Sequence, residues 1–212
     1  MTDHPRRLIV GISGSSAPQL GLAVLRALHE APGVETHLVV SRGATRSIGA
    51  EMGDGAEREF TALADVTYEP DNLAAAIASG SFRTAGMVVV PCSMRTLSAV
   101  ATGNSADLLT RAADVCLKER RRLVLVARET PLNLIHIRNM ETVTLAGGVI
   151  MPPVPAFYHR PATIEDLLRH TAGKILDLFE IEHSLFRRWE GFPPEPMTAP
   201  VGESVDGAGA SS

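Results

Sequence analysis

Apolar runs of strand length alternate with helical patterns along most of the chain, and a turn of Gly and Ser joins the first strand to the first helix. These observations predict an α/β fold with an open, mostly parallel sheet in three layers and helices on both faces. Parallel strands need crossover connections, which helices usually supply. The 212 residues suffice for one domain with its own core, since a chain of this size buries roughly 70% of its unfolded surface. A single domain is expected over 1–192, followed by a flexible tail over 193–212.

The Ile- and Val-rich run from Arg7 to Ile12 reads as a buried strand. From Pro18 onward, Leu20, Val24, Leu25 and Leu28 fall on one helical face, so a helix is expected over 18–30. Further strands are expected at 35–40, 86–90, 123–127 and 149–151, with 66–68 at an edge. The intervening patterns predict helices at 44–52, 94–102, 107–119, 131–146 and 163–189. Thr163-Ile-Glu-Asp166 has the form of an N-cap with an acidic third residue, which places the start of the last helix. Beyond Phe192, prolines give way to Gly, Ala and Ser, with too little apolar surface to offset the entropy of ordering.

A formal net charge of -4 leaves no footprint for nucleic acid, and the one dense basic run is Lys118-Glu-Arg-Arg-Arg122. No apolar run is long enough to span a membrane, and no secretory segment precedes the first strand, so a cytoplasmic protein is expected. Two cysteines, Cys92 and Cys116, make neither a disulfide framework nor a zinc set, and the seven His show no metal-ligand spacing. No metal is expected.

Ligands of open parallel sheets collect beyond the carboxyl ends of the strands. Here those loops read Gly11 to Ser16, Ser41-Arg42, Pro91-Cys-Ser-Met-Arg-Thr96, Arg128-Glu-Thr-Pro131 and Pro152 to Pro161. The first is neither G-x-G-x-x-G nor a P-loop, but its hydroxyls and the following helix N-terminus suit a phosphate. Such a turn also serves structure alone. After the second strand a dinucleotide site would carry an acidic residue, where this chain has Ser41. That favours a ligand with one phosphate and a ring system, such as FMN, over NAD, although Ser41 equally suits a helix N-cap. Plain readings exist elsewhere too. Arg111 and Lys118 form a solvated helical stripe, Tyr158 sits in a proline-stiffened turn, Trp189 anchors a helix end, and Cys92 lacks a His base.

Gly-Ile-Ser-Gly-Ser-Ser at 11–16, Pro-Cys-Ser-Met-Arg-Thr-Leu-Ser at 91–98, Thr-Arg-Ala-Ala-Asp-Val-Cys-Leu-Lys-Glu-Arg-Arg at 110–121, Arg-Glu-Thr-Pro-Leu-Asn-Leu at 128–134 and Met-Pro-Pro-Val-Pro-Ala-Phe-Tyr-His-Arg-Pro at 151–161 closely resemble the UbiX-type flavin prenyltransferases. The likeness runs from about residue 7 to 190. It implies a Rossmann-like, flavodoxin-like fold and an enzyme that joins a dimethylallyl group from dimethylallyl monophosphate to N5 and C6 of reduced FMN. The product, prenylated FMN, would serve a UbiD-type decarboxylase. Assembly into a homo-oligomer, a dodecamer with sites at subunit junctions, is also implied.

By that resemblance Gly14, Ser15, Ser16, Ser41, Cys92, Ser93, Met94, Arg95 and Arg128 line the flavin, with Ser15 placed to orient N5. Lys118, Tyr158 and Lys174 hold the prenyl phosphate, joined by Arg111 and Arg128, while Trp189 closes over the site. Glu51 and Glu129 are the site carboxylates. Two departures stand out. The first loop reads Gly14-Ser-Ser-Ala-Pro18 where the family usually has Gly-Ala-Ser-Gly-Ala, and Lys174 stands where Arg is common. The chemistry agrees with the assignment, because breaking an allylic C–O bond needs fixed positive charge on the leaving side. FMN-dependent cysteine decarboxylases share the fold, but the His expected near Glu51 and their Pro-Ala-Ser-Ala-Asn-Thr and Pro-x-Met-Asn stretches are absent. A non-catalytic flavin carrier would need the flavin loops yet gives no reason for the cations and Tyr158.

Overall fold

The computed structural model describes residues 5–191. In chain order the elements are β1 (Arg6–Ile12), α1 (Pro18–His29), β2 (Val34–Val40), α2 (Arg42–Met52), α3 (Glu57–Ala62), β3 (Val66–Tyr68), a 3-10 turn (Ala76–Ala78), β4 (Gly86–Cys92), α4 (Met94–Ala101), α5 (Leu108–Lys118), β5 (Arg122–Ala127), α6 (Leu134–Leu145), β6 (Val149–Ile150) and α7 (Ile164–Leu178). The strands form one sheet in the order β3-β2-β1-β4-β5-β6. Every pairing is parallel, which is the extreme of the expected mostly parallel sheet.

Strand alternation divides the core between the two faces. Leu8, Val10 and Ile12 of β1 join Leu25 and Leu28 of α1 and Ile175 of α7 in one buried cluster. On the other face Ile9 of β1 meets Leu97 of α4 and Leu109 and Ala112 of α5. These are the three layers predicted. Burying each Leu or Ile side chain contributes about 1.5–3 kcal/mol. From β1 the chain moves to β2 on one side and later returns to β4 on the other. The crevice between the carboxyl ends of β1 and β4 is the switch point where ligands of such sheets bind.

Several boundaries differ from expectation. Helix α6 begins at Leu134, because Asn133 caps it by accepting from the His136 N–H. Helix α7 stops at Leu178, well short of 189; Glu180 takes a left-handed φ of 55°, and Ile181 turns back into the core. Helix α3 and the 3-10 turn were not anticipated: both are short, and α3 is largely polar apart from Phe60. Val66–Tyr68 is the expected edge strand. Among the described residues no helix is long and apolar enough to cross a membrane. The expected tail over 193–212 lies outside the described residues.

Candidate flavin site

The loops beyond the carboxyl ends are bound to one another. Ser13 is buried, and its hydroxyl donates to the Pro91 carbonyl at 3.0 Å while accepting from the Ser93 N–H at 2.7 Å. Ser15 Oγ donates to the Arg128 carbonyl at 3.1 Å, and the Arg128 N–H donates to the Cys92 carbonyl at 3.0 Å. The Ser41 N–H donates to the Ile12 carbonyl at 2.9 Å. The loops after β1, β2, β4 and β5 therefore form one platform, although they are far apart in sequence.

A cavity of about 540 Å³ opens on this platform, lined by Gly14, Ser41, Arg42, Gly43, Pro70, Asp71, Ser93, Met94, Arg95, Thr96, Ala106, Asp107 and Glu129. That volume lies within the usual range for a cofactor pocket. Two helices begin in its wall. Ser41 caps α2 by accepting from the Ala44 N–H at 3.2 Å, and Ser93 caps α4 by accepting from the Thr96 N–H at 3.2 Å. Both serines thus cap helices and line the cavity at once, so the two readings of Ser41 are compatible. The positive ends of both helix dipoles lie there with Arg95, an arrangement suited to a phosphoester. Arg42 is paired with Asp71. At the floor, a Cβ built on Gly14 would lie 2.8 Å from the Gly43 carbonyl carbon. Gly14, Gly43 and the Ser41 and Ser93 hydroxyls share the wall with the longer side chains of Arg42, Met94, Arg95 and Glu129. These residues fit FMN.

Other expected site residues divide among the core, the platform loops, the cavity wall and α2. Cys92 is fully buried and its thiol is pushed up to about 12 by that burial, so it is an inert packing group at neutral pH. Ser15, Ser16 and Arg128 belong to the platform loops but not to the cavity wall. Glu129 is in the wall, with Oε1 accepting from the Thr130 N–H at 3.0 Å. Glu51, on α2, accepts from the Ala17 N–H at 2.9 Å and does not line the cavity.

The cations expected to hold the prenyl phosphate are absent from this wall. Arg111 donates to the Ala78 carbonyl at 3.1 Å and pairs with Asp114 at 2.8 Å. Lys118 ends α5 beside the amino end of β5, pairs with Glu119 and approaches Gly80. Tyr158, Lys174 and Trp189 gather along α7 instead. The Tyr158 and Trp189 rings are 5.9 Å apart, and Lys174 lies 3.5 Å from Asp177. One chain therefore supplies the flavin cavity and two cationic surfaces, without uniting them.

Gly43, Pro70, Asp71, Thr96, Ala106 and Asp107 also line the cavity and were not anticipated as site residues. The carboxyl-end rule applied to the edge strand 66–68 would have found Pro70 and Asp71. Asp107-x-x-Thr110 is a capping box whose sequence signal was available. No group of three or more His, Cys, Asp and Glu able to hold a metal occurs among the described residues.

The flavoprotein family model matches residues 1–181. The flavin prenyltransferase UbiX of Escherichia coli K12 is 51% identical over 188 residues, covering 88% of this chain and 99% of that one. The chain belongs to the UbiX-type flavin prenyltransferases. A crystal structure of AnUbiX in complex with FMN and dimethylallyl pyrophosphate superposes on this UbiX-type chain with a TM-score of 0.86 at 51% identity. It covers 89% of this chain and is itself covered entirely, at 100%. The dodecameric FMN-dependent UbiX-like decarboxylase of Escherichia coli O157:H7 follows at TM-score 0.84 and 49% identity, covering 87% of this chain and 100% of its own. A cysteine decarboxylase of thioviridamide biosynthesis reaches only 15% identity with a TM-score of 0.61, a likeness of fold alone.

Proposed function

We propose that this UbiX-type chain transfers a dimethylallyl group from dimethylallyl monophosphate to N5 and C6 of reduced FMN, handing the prenylated flavin to a UbiD-type decarboxylase. The observation that carries the reading is the cavity at the β1/β4 switch point, whose wall combines two helix N-termini, Arg95 and Glu129 on a glycine floor. Reduced FMN supplies the electron-rich N5 and C6 when bound. Gly14, Ser41, Ser93, Met94 and Arg95 hold it, while Ser15 and Arg128 tie together the loops around it and Ser16 belongs to the first of those loops.

Cleavage of the allylic C–O bond leaves its electron pair on the phosphate and positive charge on the five-carbon fragment. Lys118, Tyr158 and Lys174, with Arg111 and Arg128, stabilise the departing anion. Glu129 would serve as the acid toward the phosphate; of the protons that N5 and C6 of a bound flavin would lose, one would go to the alkene carbon of the five-carbon fragment and the other, from C6, to the departing phosphate. Because Lys118 and the α7 group lie off the cavity of their own chain, they reach the flavin of a neighbouring copy. A homo-oligomer follows, and the dodecamer of the Escherichia coli O157:H7 relative supports that assembly.

The test is anaerobic incubation of the enzyme with FMN, a reductant and dimethylallyl monophosphate, followed by mass analysis of the flavin. A gain of one five-carbon unit is expected. A parallel arm uses the diphosphate present with AnUbiX. Unmodified flavin in both arms contradicts the proposal.

A further inference from the structure

Tyr158 is surrounded by rings. His170 is buried on α7, with its Nε2 3.0 Å from the Tyr158 hydroxyl oxygen. The His159 ring stacks on it at 4.6 Å with an interplanar angle of 6°, and Phe186 packs against it at 4.5 Å. Both His159 nitrogens are buried with no hydrogen-bond partner among the described residues, so His159 meets His170 as a flat surface. Wedged by these two rings, the imidazole keeps Nε2 aimed at the Tyr158 oxygen.

A phosphoester offers acceptors, and an acceptor can be held only by a hydrogen. If Tyr158 is to grip the phosphate, its O–H must point there, and its oxygen is then free to accept from a second donor. In its Nε2–H tautomer His170 is that donor. The charged and titratable groups facing His170 are Tyr158, His159, Lys174 and Asp177. Asp177 is itself engaged by His183 at 3.1 Å and Arg188 at 2.7 Å. Burial, His159 and Lys174 together hold the imidazole below its ordinary pKa, so at neutral pH the ring carries one hydrogen and its position matters.

We infer that His170 is a positioning residue for the prenyl phosphate: its Nε2–H donates to the Tyr158 oxygen and so turns the Tyr158 O–H toward the phosphate. The inference rests on the reading that Tyr158 contacts that phosphate. It concerns a residue that touches neither FMN nor donor and acts only through Tyr158.

The experiment measures dimethylallyl monophosphate binding by calorimetry to the enzyme loaded with oxidised FMN, which lacks the electron-rich N5 and holds it short of turnover. His170→Phe keeps a ring for His159 and Phe186 but has no N–H, and its Kd is expected to rise about fivefold to tenfold. His170→Gln keeps an N–H at similar reach and should bind within about twofold of the parent. Tyr158→Phe should weaken binding at least as much as His170→Phe, and the double variant no further. FMN affinity and thermal midpoint report folding throughout, and His170→Leu replaces the Phe variant if that one does not fold. A ring-packing role would give the reverse order, with Phe tolerated and Gln not, and that result overturns the inference. Unchanged binding in Tyr158→Phe overturns instead the reading that Tyr158 holds the phosphate.

Discussion

At Gly14 the backbone passes so close to Gly43 that a methyl group would lie 2.8 Å from the Gly43 carbonyl carbon, and only glycine lets the first two carboxyl-end loops approach. Gly14→Ala is therefore expected to cost about 1–3 kcal/mol, seen as a lower thermal midpoint together with weaker FMN binding. An unchanged midpoint would show that Gly43 can move aside. His37 makes a second prediction at this scale. It is buried, with Nε2 2.8 Å from Glu35 Oε1 and Nδ1 2.9 Å from the Tyr68 hydroxyl. A neutral ring satisfies both, donating from Nε2 and accepting at Nδ1. Burial lowers its pKa from 6.5, against the raising influence of Glu35. As pH falls below 6.5 the unfolded chain takes up the proton first, so stability declines; above that value it is fully present. Thermal midpoints should fall on acidification, and His37→Gln should remove part of that slope. Parallel slopes for parent and variant would contradict this. The site serines were legible in the sequence because the carboxyl-end rule singles out their loops. Asp107 was not, because a capping box reads as helix punctuation until the fold brings it beside the cavity.

Among the elements, α2 shows how a helix can secure a loop it does not adjoin. Ala17 adopts a left-handed φ of 69° at the start of α1, and Glu51, near the end of α2, accepts its N–H at 2.9 Å. Glu51 was expected as a site carboxylate, and the geometry gives it a part in holding the first loop. Glu51→Gln retains an acceptor for Ala17 and is expected to keep prenylation within about threefold, whereas Glu51→Ala should weaken FMN binding roughly threefold to tenfold. Abolished turnover in the Gln variant would place the carboxylate among the reacting groups. Strand positions were legible because buried parallel strands read as continuous apolar runs. The end of α7 was not. Apolar residues continue past Leu178, but the helix closes there, with the Phe179 and Ile181 N–H groups both donating to the Leu176 carbonyl and Glu180 in a left-handed conformation, a turn that apolar periodicity does not show. That departure brings His183, Phe186 and Arg188 back onto α7.

For the whole molecule, the flavin cavity lies apart from the cations proposed to hold the prenyl phosphate. The sequence pattern collects these groups into one family motif set but does not say which chain each serves, since spacing along one polymer is blind to contacts between copies. Helix α6 adds a physical reason for assembly. Only Val143 on it is buried, while Leu134, Ile135, Ile137 and Leu145 are 50–82% exposed. Apolar surface of that kind usually marks an interface. Shared sites make a direct measurement available. Lys118→Ala and Glu129→Gln chains, each inactive alone, are dissociated, mixed and reassembled, and the FMN is then assayed anaerobically for the added five-carbon unit. Junctions that join an intact Lys118 from one chain to an intact Glu129 from another should restore prenylation in the mixture. Activity no greater than the sum of the separate variants, in assemblies confirmed to be hybrid, would contradict a cavity completed by a second copy.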